Sequence, residues 1–375
     1  MTKRIAAALA LGLAATAHAG APWTFRVHAI NAESRFEAAS LADFSGDGKP
    51  DIFCGGFWYE APKWTKHVVR AVEAIGGYHV DFGAYPADVD GDGKTDIVNA
   101  AWHNKAVFWV KNPGKAGDPW PVHMVDTPGN IETLIPVDID GDGRMDIMPN
   151  VVGKPVWYEF AAEASASNGV RWTRHDLPGQ AGAHGMGVGD INADGRPDIV
   201  TPRGWLEGAA TGWVWHAEFD LKERASIPML VGDIDGDGDG DIVWGSAHGY
   251  GVSWLEQGRG ADGARMWTRR EIDTKWSQAH FLIFADLDND GAAEVVTGKR
   301  YYAHNGKDPG AEDPKCVYAY GFDRHTKTWT RHTLSEGGPT GFGIFTNVAD
   351  FDGDGDLDVV CPGKSGLFLI ENLLK

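Results

Sequence analysis

The chain has 375 residues, a formal net charge of −19 and a pI near 5.1. That acidity argues against the phosphate attraction on which nucleic-acid binding rests. Beyond the first residues, no apolar run is long enough to predict a membrane span.

In chain order, Lys3 and Arg4 precede the apolar run Ile5 to Ala15, and Ala17-His18-Ala19 precedes Gly20. This pattern predicts a signal peptide over residues 1–19. The expected mature chain, residues 20–375, is then periplasmic or secreted from a bacterium. Cys54, Cys316 and Cys361 are read as free thiols, because equivalent strands of neighbouring blades diverge.

One acidic loop then recurs seven times. DFSGDGKPD carries Asp43, Asp47 and Asp51, and DVDGDGKTD carries Asp88, Asp90, Asp92 and Asp96. DIDGDGRMD carries Asp138, Asp140, Asp142 and Asp146, and DINADGRPD carries Asp190, Asn192, Asp194 and Asp198. DIDGDGDGD carries Asp233, Asp235, Asp237 and Asp241. DLDNDGAAE carries Asp286, Asp288, Asp290 and Glu294, and DFDGDGDLD carries Asp350, Asp352, Asp354 and Asp358. Alternating oxygen side chains, a glycine turn and a closing carboxylate form a cage for Ca²⁺, which takes about six to eight oxygens. The flanks are short apolar runs rather than amphipathic helices, so the unit is strand, calcium loop, strand. Ser45 in the first loop and Glu294 closing the sixth predict weaker cation binding there.

Loop spacing runs from 43 residues (Asp190 to Asp233) to 64 (Asp286 to Asp350), which suits a four-stranded blade. In the first unit, strand A is FEAASLADF, B is PDIFCGG, C is FWYEA and D is WTKHVVR. The strand C aromatic recurs as Trp58, Trp109, Trp157, Trp215 and Trp254. Strand D recurs from Trp64, Trp120, Trp172, Trp267 and Trp329. The last unit lacks a strand D, and WTFRVHAI near the N-terminus supplies one. The expected fold is all-β: a seven-bladed β-propeller closed by its N-terminal strand. Its loops and blades resemble the FG-GAP (VCBS) repeats of integrin-type propellers.

The repeat also sorts the 14 histidines. His28, His67, His123, His175 and His332 are the strand D histidine and read as structural, as do His216 and His325. His79, His103, His184, His248, His280 and His304 lie outside the pattern. Six residues before each loop's first acid stand Glu37, Phe82, Glu132, His184, Ile227, His280 and Ile344. This ring should line the channel mouth opposite the calcium loops. Two His and two Glu at one ring position suit Zn²⁺ or another divalent transition metal. His79 and Asp81 lie one residue out of phase, so a bulge or an earlier strand start would bring either inward. Strand B ends place His103, Arg203, His248, Lys299, Arg300, Tyr301, Tyr302, His304 and Lys364 on the same face, beside Trp205 and Tyr250.

No nucleotide-binding glycine motif and no G-x-S-x-G elbow appears in the sequence. A metal ringed by basic and aromatic groups suits a small sugar or oligosaccharide, with β-elimination as the chemistry. TPRGWLE, WGSAHGYG, WSQAHFLIFADLDNDG, GKRYYAHNGKDPG and PGKSGLFLIEN resemble the propeller domain of the aldos-2-ulose dehydratase family. That resemblance implies metal-dependent dehydration of a 2-keto sugar. It implies His184 and His280 as metal ligands, with Glu132 and Asp81 or His79 beside them. It also implies His248, Tyr301, His304, Lys299 and Arg203 around the sugar. Catalytic roles are expected for His79, His103, His248, Tyr301 and His304. Substrate contacts are expected from Arg203, Lys299, Arg300, Tyr302, Trp205, Tyr250 and Lys364. The alternatives are a lyase acting on uronate-containing glycans and a non-enzymatic binding module.

Overall fold

A computed structural model describes residues 23–374; the expected signal peptide lies outside the described residues. Seven four-stranded antiparallel sheets follow one another. Blade 1 comprises strands A (Ser40–Ala42), B (Asp51–Cys54), C (Phe57–Glu60) and D (Thr65–Val68). Blade 7 comprises Val348–Ala349, Asp358–Cys361 and Leu367–Asn372, and takes Phe25–Asn31 as its outer strand. Phe25 pairs with Asn372 and His28 with Leu369 in antiparallel register. The first blade therefore meets a completed last blade, and the ring closes without an unpaired strand at the seam.

In blades 1 to 4 the outer half rests on a repeated stack. Trp58 faces His67, Trp109 faces His123, Trp157 faces His175, and Trp205 faces His216 as cross-strand neighbours. Their rings stack with centroids 3.9 to 4.6 Å apart. In three blades a strand C glutamate closes on the same imidazole: Glu60 on His67, Glu159 on His175 and Glu207 on His216. The structural reading of these histidines holds. In blade 4 the strand C aromatic is Trp205, and the expected Trp215 lies on strand D (Gly212–His216). Trp205 is buried between His216 and the Arg265 guanidinium, so it does not face a ligand.

The acidic loops join strands A and B on one face. The first acid folds the loop: Asp138 accepts the N–H groups of Gly141 and Gly143 through its two oxygens. The closing acid is buried and staples the loop to the sheet. Asp241 accepts from Ile234 N–H (3.1 Å) and Gln257 N–H (2.8 Å). Asp358 accepts from Phe351 and Asn372 in the same way. Among the described residues, Cys54, Cys316 and Cys361 are free and buried. No described helix is long and apolar enough to cross a membrane.

The staple sets a stability test. Each buried N–H stripped of its acceptor costs about 1–3 kcal/mol, so Asp241→Ala should lose about 2–6 kcal/mol in urea unfolding with EDTA present. Asp92→Ala removes a partly exposed carboxylate paired with Lys94 and Lys111, and should move stability by less than about 1 kcal/mol. Equal losses would remove the closing acid from its structural role.

Candidate metal centre

The inner ends of the strands on the face opposite the acidic loops bring four ligand-type side chains together. Glu132 lies on strand A of blade 3 (Ile131–Val137), and His280 on strand A of blade 6 (Ala279–Ala285). His184 precedes strand A of blade 4, and His248 follows strand B of blade 5 (Asp241–Gly245). One ligand atom from each of Glu132, His184, His248 and His280 falls within 4.8 Å of the others.

Local backbone irregularities aim two of them. Pairing slips between Ile131 and Leu134 in blade 3, and between Ala279 and Leu282 in blade 6. These bulges contain Glu132 and His280. An extra residue there turns a side chain that a regular strand would send elsewhere. Gly185, at φ +107°, allows a third approach: a Cβ there would meet Ala225 Cβ at 2.7 Å. Its absence lets His184 Nδ1 reach Ala225 O at 3.1 Å.

The hydrogen bonds fix the imidazoles in a ligating state. His184 donates from Nδ1 to a backbone carbonyl, and His248 Nδ1 lies 2.9 Å from Asp308 Oδ2. Both Nε2 atoms then carry a lone pair, yet they stand 2.8 Å apart. Two lone pairs at that separation repel unless a proton or a cation lies between or beside them. His280 is fully buried, and its Nδ1 has no hydrogen-bond partner among the described residues. Its Nε2 stands 3.2 Å from Glu132 Oε1, while His184 Nε2 stands 3.1 Å from Glu132 Oε2. An orphaned buried imidazole, a close Nε2 pair and anchored Nδ1 atoms are the donor set and outer support that Zn²⁺ or a similar ion takes.

The protonation states agree. Burial pushes His248 down to about 4 and His280 down to about 3. Burial alone would raise Glu132, but His280, His184 and Arg300 beside it hold it well below the usual carboxylate range. Neutral imidazoles and an ionised carboxylate are the forms that bind a divalent metal. Arg300, itself buried, bonds Glu132 at 2.7 Å and Glu37 at 2.9 Å. Glu37 therefore clamps the arginine and does not ligate.

Glu132, His184 and His248 line a cavity of about 830 Å³ together with Tyr78, Trp102, His103, Arg203, Arg224 and His304, and His280 is buried out of it. His304 stacks on His248 at 4.5 Å, and its Nδ1 lies 2.9 Å from Asp308 Oδ1. Asp308 thus holds two histidines. Tyr302, His304 and Asn305 all take left-handed backbone angles (φ 57°, 48° and 53°), a strained turn of the kind found at functional sites. Lys299 and Lys364 pin this turn and its continuation. Lys299 Nζ donates to Ser277 Oγ and Gly310 O, both at 2.6 Å. Lys364 Nζ donates to Asn305 Oδ1 at 3.1 Å and covers the Tyr78 ring at 3.6 Å.

Several expectations are therefore corrected. Asp81 is buried against Arg70 and outside the cluster. His79 belongs to a separate two-stranded hairpin (Ala74–Ile75 with Tyr78–His79), lies tilted against the Phe36 ring and lines a different cavity. The inner-strand bulges that aim ligand-type residues lie in blades 3 and 6. His248 joins the ligand group rather than standing apart as a base. Lys299 and Lys364 are buried anchors, not sugar contacts. Arg300 lines the cavity, but its guanidinium is held by two carboxylates. Tyr250 bonds Asp313, Tyr301 lies beside Lys315, and neither they nor Tyr302 line the cavity. His103 and Arg203 are where they were expected. Tyr78, Arg224 and Asp308 were missed. For Asp308 the spacing of four from His304 was a usable signal; Tyr78 and Arg224 come from segments with no counterpart in the repeat.

The acidic loops fit a second kind of ion. Asp88, Asp90 and Asp96, then Asp138, Asp140 and Asp146, and also Asp233, Asp235 and Asp237, each gather carboxylate oxygens within 4.8 Å. Lys111 bridges Asp90 and Asp92, and Lys327 meets Asp235. All-oxygen donor sets with bound ammonium groups are places that favour a hard cation.

The architecture agrees with the comparisons. Residues 88–148 and 233–297 match the FG-GAP-like repeat, and the chain folds as a seven-bladed propeller. A lectin from Agrocybe aegerita, described as recognising non-reducing terminal N-acetylglucosamine, shares the fold at a TM-score of 0.50 and 17% identity, over 90% of this chain and 85% of the lectin. The exotype rhamnogalacturonan lyase YesX gives a TM-score of 0.45 and the rhamnogalacturonan lyase YesW 0.43. Each is 13% identical, over 94% of this chain and 74% of the lyase. No curated protein sequence matches the chain.

Lys299 supplies the test of the corrected map. Lys299→Met leaves the Gly310 carbonyl and the Ser277 hydroxyl without their donor, and should destabilise the fold by about 1–3 kcal/mol in thermal or urea unfolding. A stability equal to the parent would return Lys299 to the group of free sugar contacts.

Proposed function

We propose that this chain is a carbohydrate-active lyase that uses a divalent transition metal for β-elimination. The observation that carries this reading is the convergence of Glu132, His184 and His248 in the wall of a cavity with the fully buried His280 beside them. A bound metal would be held by these four residues, and would supply Lewis acidity that acidifies a C–H next to a carbonyl or carboxylate. The protein supplies the rest. Asp308 fixes the Nδ1–H tautomer of His304, which leaves Nε2 basic toward the cavity. His304 takes the proton from the activated carbon. Tyr78, whose hydroxyl is buried without a hydrogen-bond partner among the described residues, or His103 protonates the departing oxygen. Trp102 offers an aromatic face to a sugar ring, and Arg300 keeps Glu132 ionised. Dehydration of a 2-keto sugar and cleavage of a uronate link are both reactions of this type.

We assign the seven acidic loops to structural Ca²⁺, and the amino-terminal segment to export into the periplasm or medium. The two metal roles separate by experiment. EDTA should lower Tm and abolish activity together. Adding back Ca²⁺ alone should restore Tm but not activity. Recovery of activity with Ca²⁺ alone would place the chemistry at calcium.

Elemental analysis of the purified protein decides the central claim. The parent should carry a transition metal that His280→Ala loses while its circular dichroism stays unchanged. His79→Ala should keep the metal. Unchanged metal in His280→Ala, or none in the parent after reloading with Zn²⁺ or Mn²⁺, would sink the metal reading. With a substrate in hand, followed by absorbance of the conjugated product, His304→Ala should lose about 10²–10⁴-fold in kcat with its metal retained. N-acetylglucosamine-terminated glycans belong in the same panel as ligands of the Agrocybe lectin.

A further inference from the structure

Most charges around the cavity are already matched inside the protein. Arg300 is held by Glu37 and Glu132. Lys222 Nζ donates to Asp220. Glu223 accepts from Arg269 at 2.8 Å and from Trp244 Nε1 at 3.1 Å. Two guanidinium groups remain in the cavity wall, those of Arg203 and Arg224, and both are exposed.

Their isolation is unusual for this chain. Every other described arginine has its guanidinium on a carboxylate or a backbone carbonyl. Acidic side chains outnumber basic ones 53 to 34, so a partner is easy to find. Among the described residues neither Arg203 nor Arg224 makes a direct ion pair or guanidinium hydrogen bond, although Arg203 is near enough to Asp220 to help hold that carboxyl low. Arg203 sits where strand B of blade 4 (Asp198–Thr201) turns into strand C (Gly204–Ala209). Its N–H is bonded to Thr201 Oγ1. Arg224 follows blade 4, and its carbonyl accepts from Ala247 N–H at 3.1 Å. The backbone holds both positions on the wall, while among the described residues neither guanidinium is engaged in a direct hydrogen bond or ion pair. Arginine pairs of this kind suit a planar carboxylate.

We propose that Arg203 and Arg224 bind the carboxylate of the substrate, so that the sugar acted on is a uronate. This rests on the β-elimination reading above and narrows it. Neutralising the carboxylate makes the C–H beside it more acidic. His304 Nε2 takes that proton, the electron pair becomes the new C=C bond, and the β-carbon to oxygen bond breaks. The oxygen leaves with a proton from the protein. The step balances with no oxidant, reductant or added water.

The test uses the full metal-loaded chain and matched probes in calorimetry. The probes are galacturonate and glucuronate oligosaccharides, the same oligosaccharides after carboxyl reduction, and a sulfated neutral oligosaccharide. The acidic forms should bind at least about tenfold more tightly than their reduced forms, an advantage of one factor of ten in Kd. R203Q/R224Q should erase that advantage, and leave metal content and Tm unchanged. Equal binding of acid and reduced forms, binding of neither, or an acid preference that survives in R203Q/R224Q would each overturn the proposal. So would binding of the sulfated probe without the uronates. Metal content is read on the same preparations. Loss of the metal reading alone leaves the arginine-dependent acid preference standing, so the two failures are distinguishable.

Discussion

An ionised carboxylate buried in a propeller channel must be surrounded by compensating charge and donors, and Glu132 sets the terms for the centre of this protein. Removing such a group from water costs several kcal/mol unless it is paired. Arg300 provides one partner at 2.7 Å and is itself balanced by Glu37. His248 and His280 do not provide the rest as cations, because burial drives both toward the neutral form. The cluster is thus one in which the protein's own charges leave room for another. Replacing Glu132 by an apolar residue would remove the demand but also the site.

The fold puts two kinds of ligand-type cluster at opposite ends of the same strands. At one end, loops of carboxylates and backbone groups provide hard oxygen donors, and the closing acids are spent partly on stapling the loops. At the other end, bulges in blades 3 and 6 turn Glu132 and His280 inward beside histidines from blades 4 and 5. The donors there are mainly nitrogen, softer and less solvated. A loop acid can be lost with a local cost, whereas a channel ligand has no neighbour of the same chemistry to replace it.

The fold was legible because it is repeated. Seven copies of one loop, a tryptophan on strand C and a histidine facing it on strand D define the blade, and WTFRVHAI revealed the closing strand. The ring counted back from each loop found Glu132, His184 and His280, because distance along a strand from a fixed loop is a reliable ruler. It failed where the chain departs from the repeat. Asp81 sits in an inserted segment of blade 2, where burial against Arg70 decided its place. Lys299 and Lys364 looked like rim cations, yet each is committed to backbone or amide oxygens that only the folded turn creates. Trp205 was displaced from its true role by a one-strand error in blade 4, where the strand D aromatic imitates the strand C one.

The turn that carries His304 shows how a site can be built outside the repeat and still be rigid. Left-handed angles at Tyr302, His304 and Asn305 are costly for residues with a Cβ, so the turn needs external restraint. Lys299 and Lys364 provide it from below, and Asn305 ties across to Gly76 O at 3.0 Å. The result places Asp308 where one carboxylate orients both His248 and His304. His248 and the neighbouring His304 then share a single anchor. Their relative geometry is set by the turn rather than by either blade, and a shift of the turn must disturb both together.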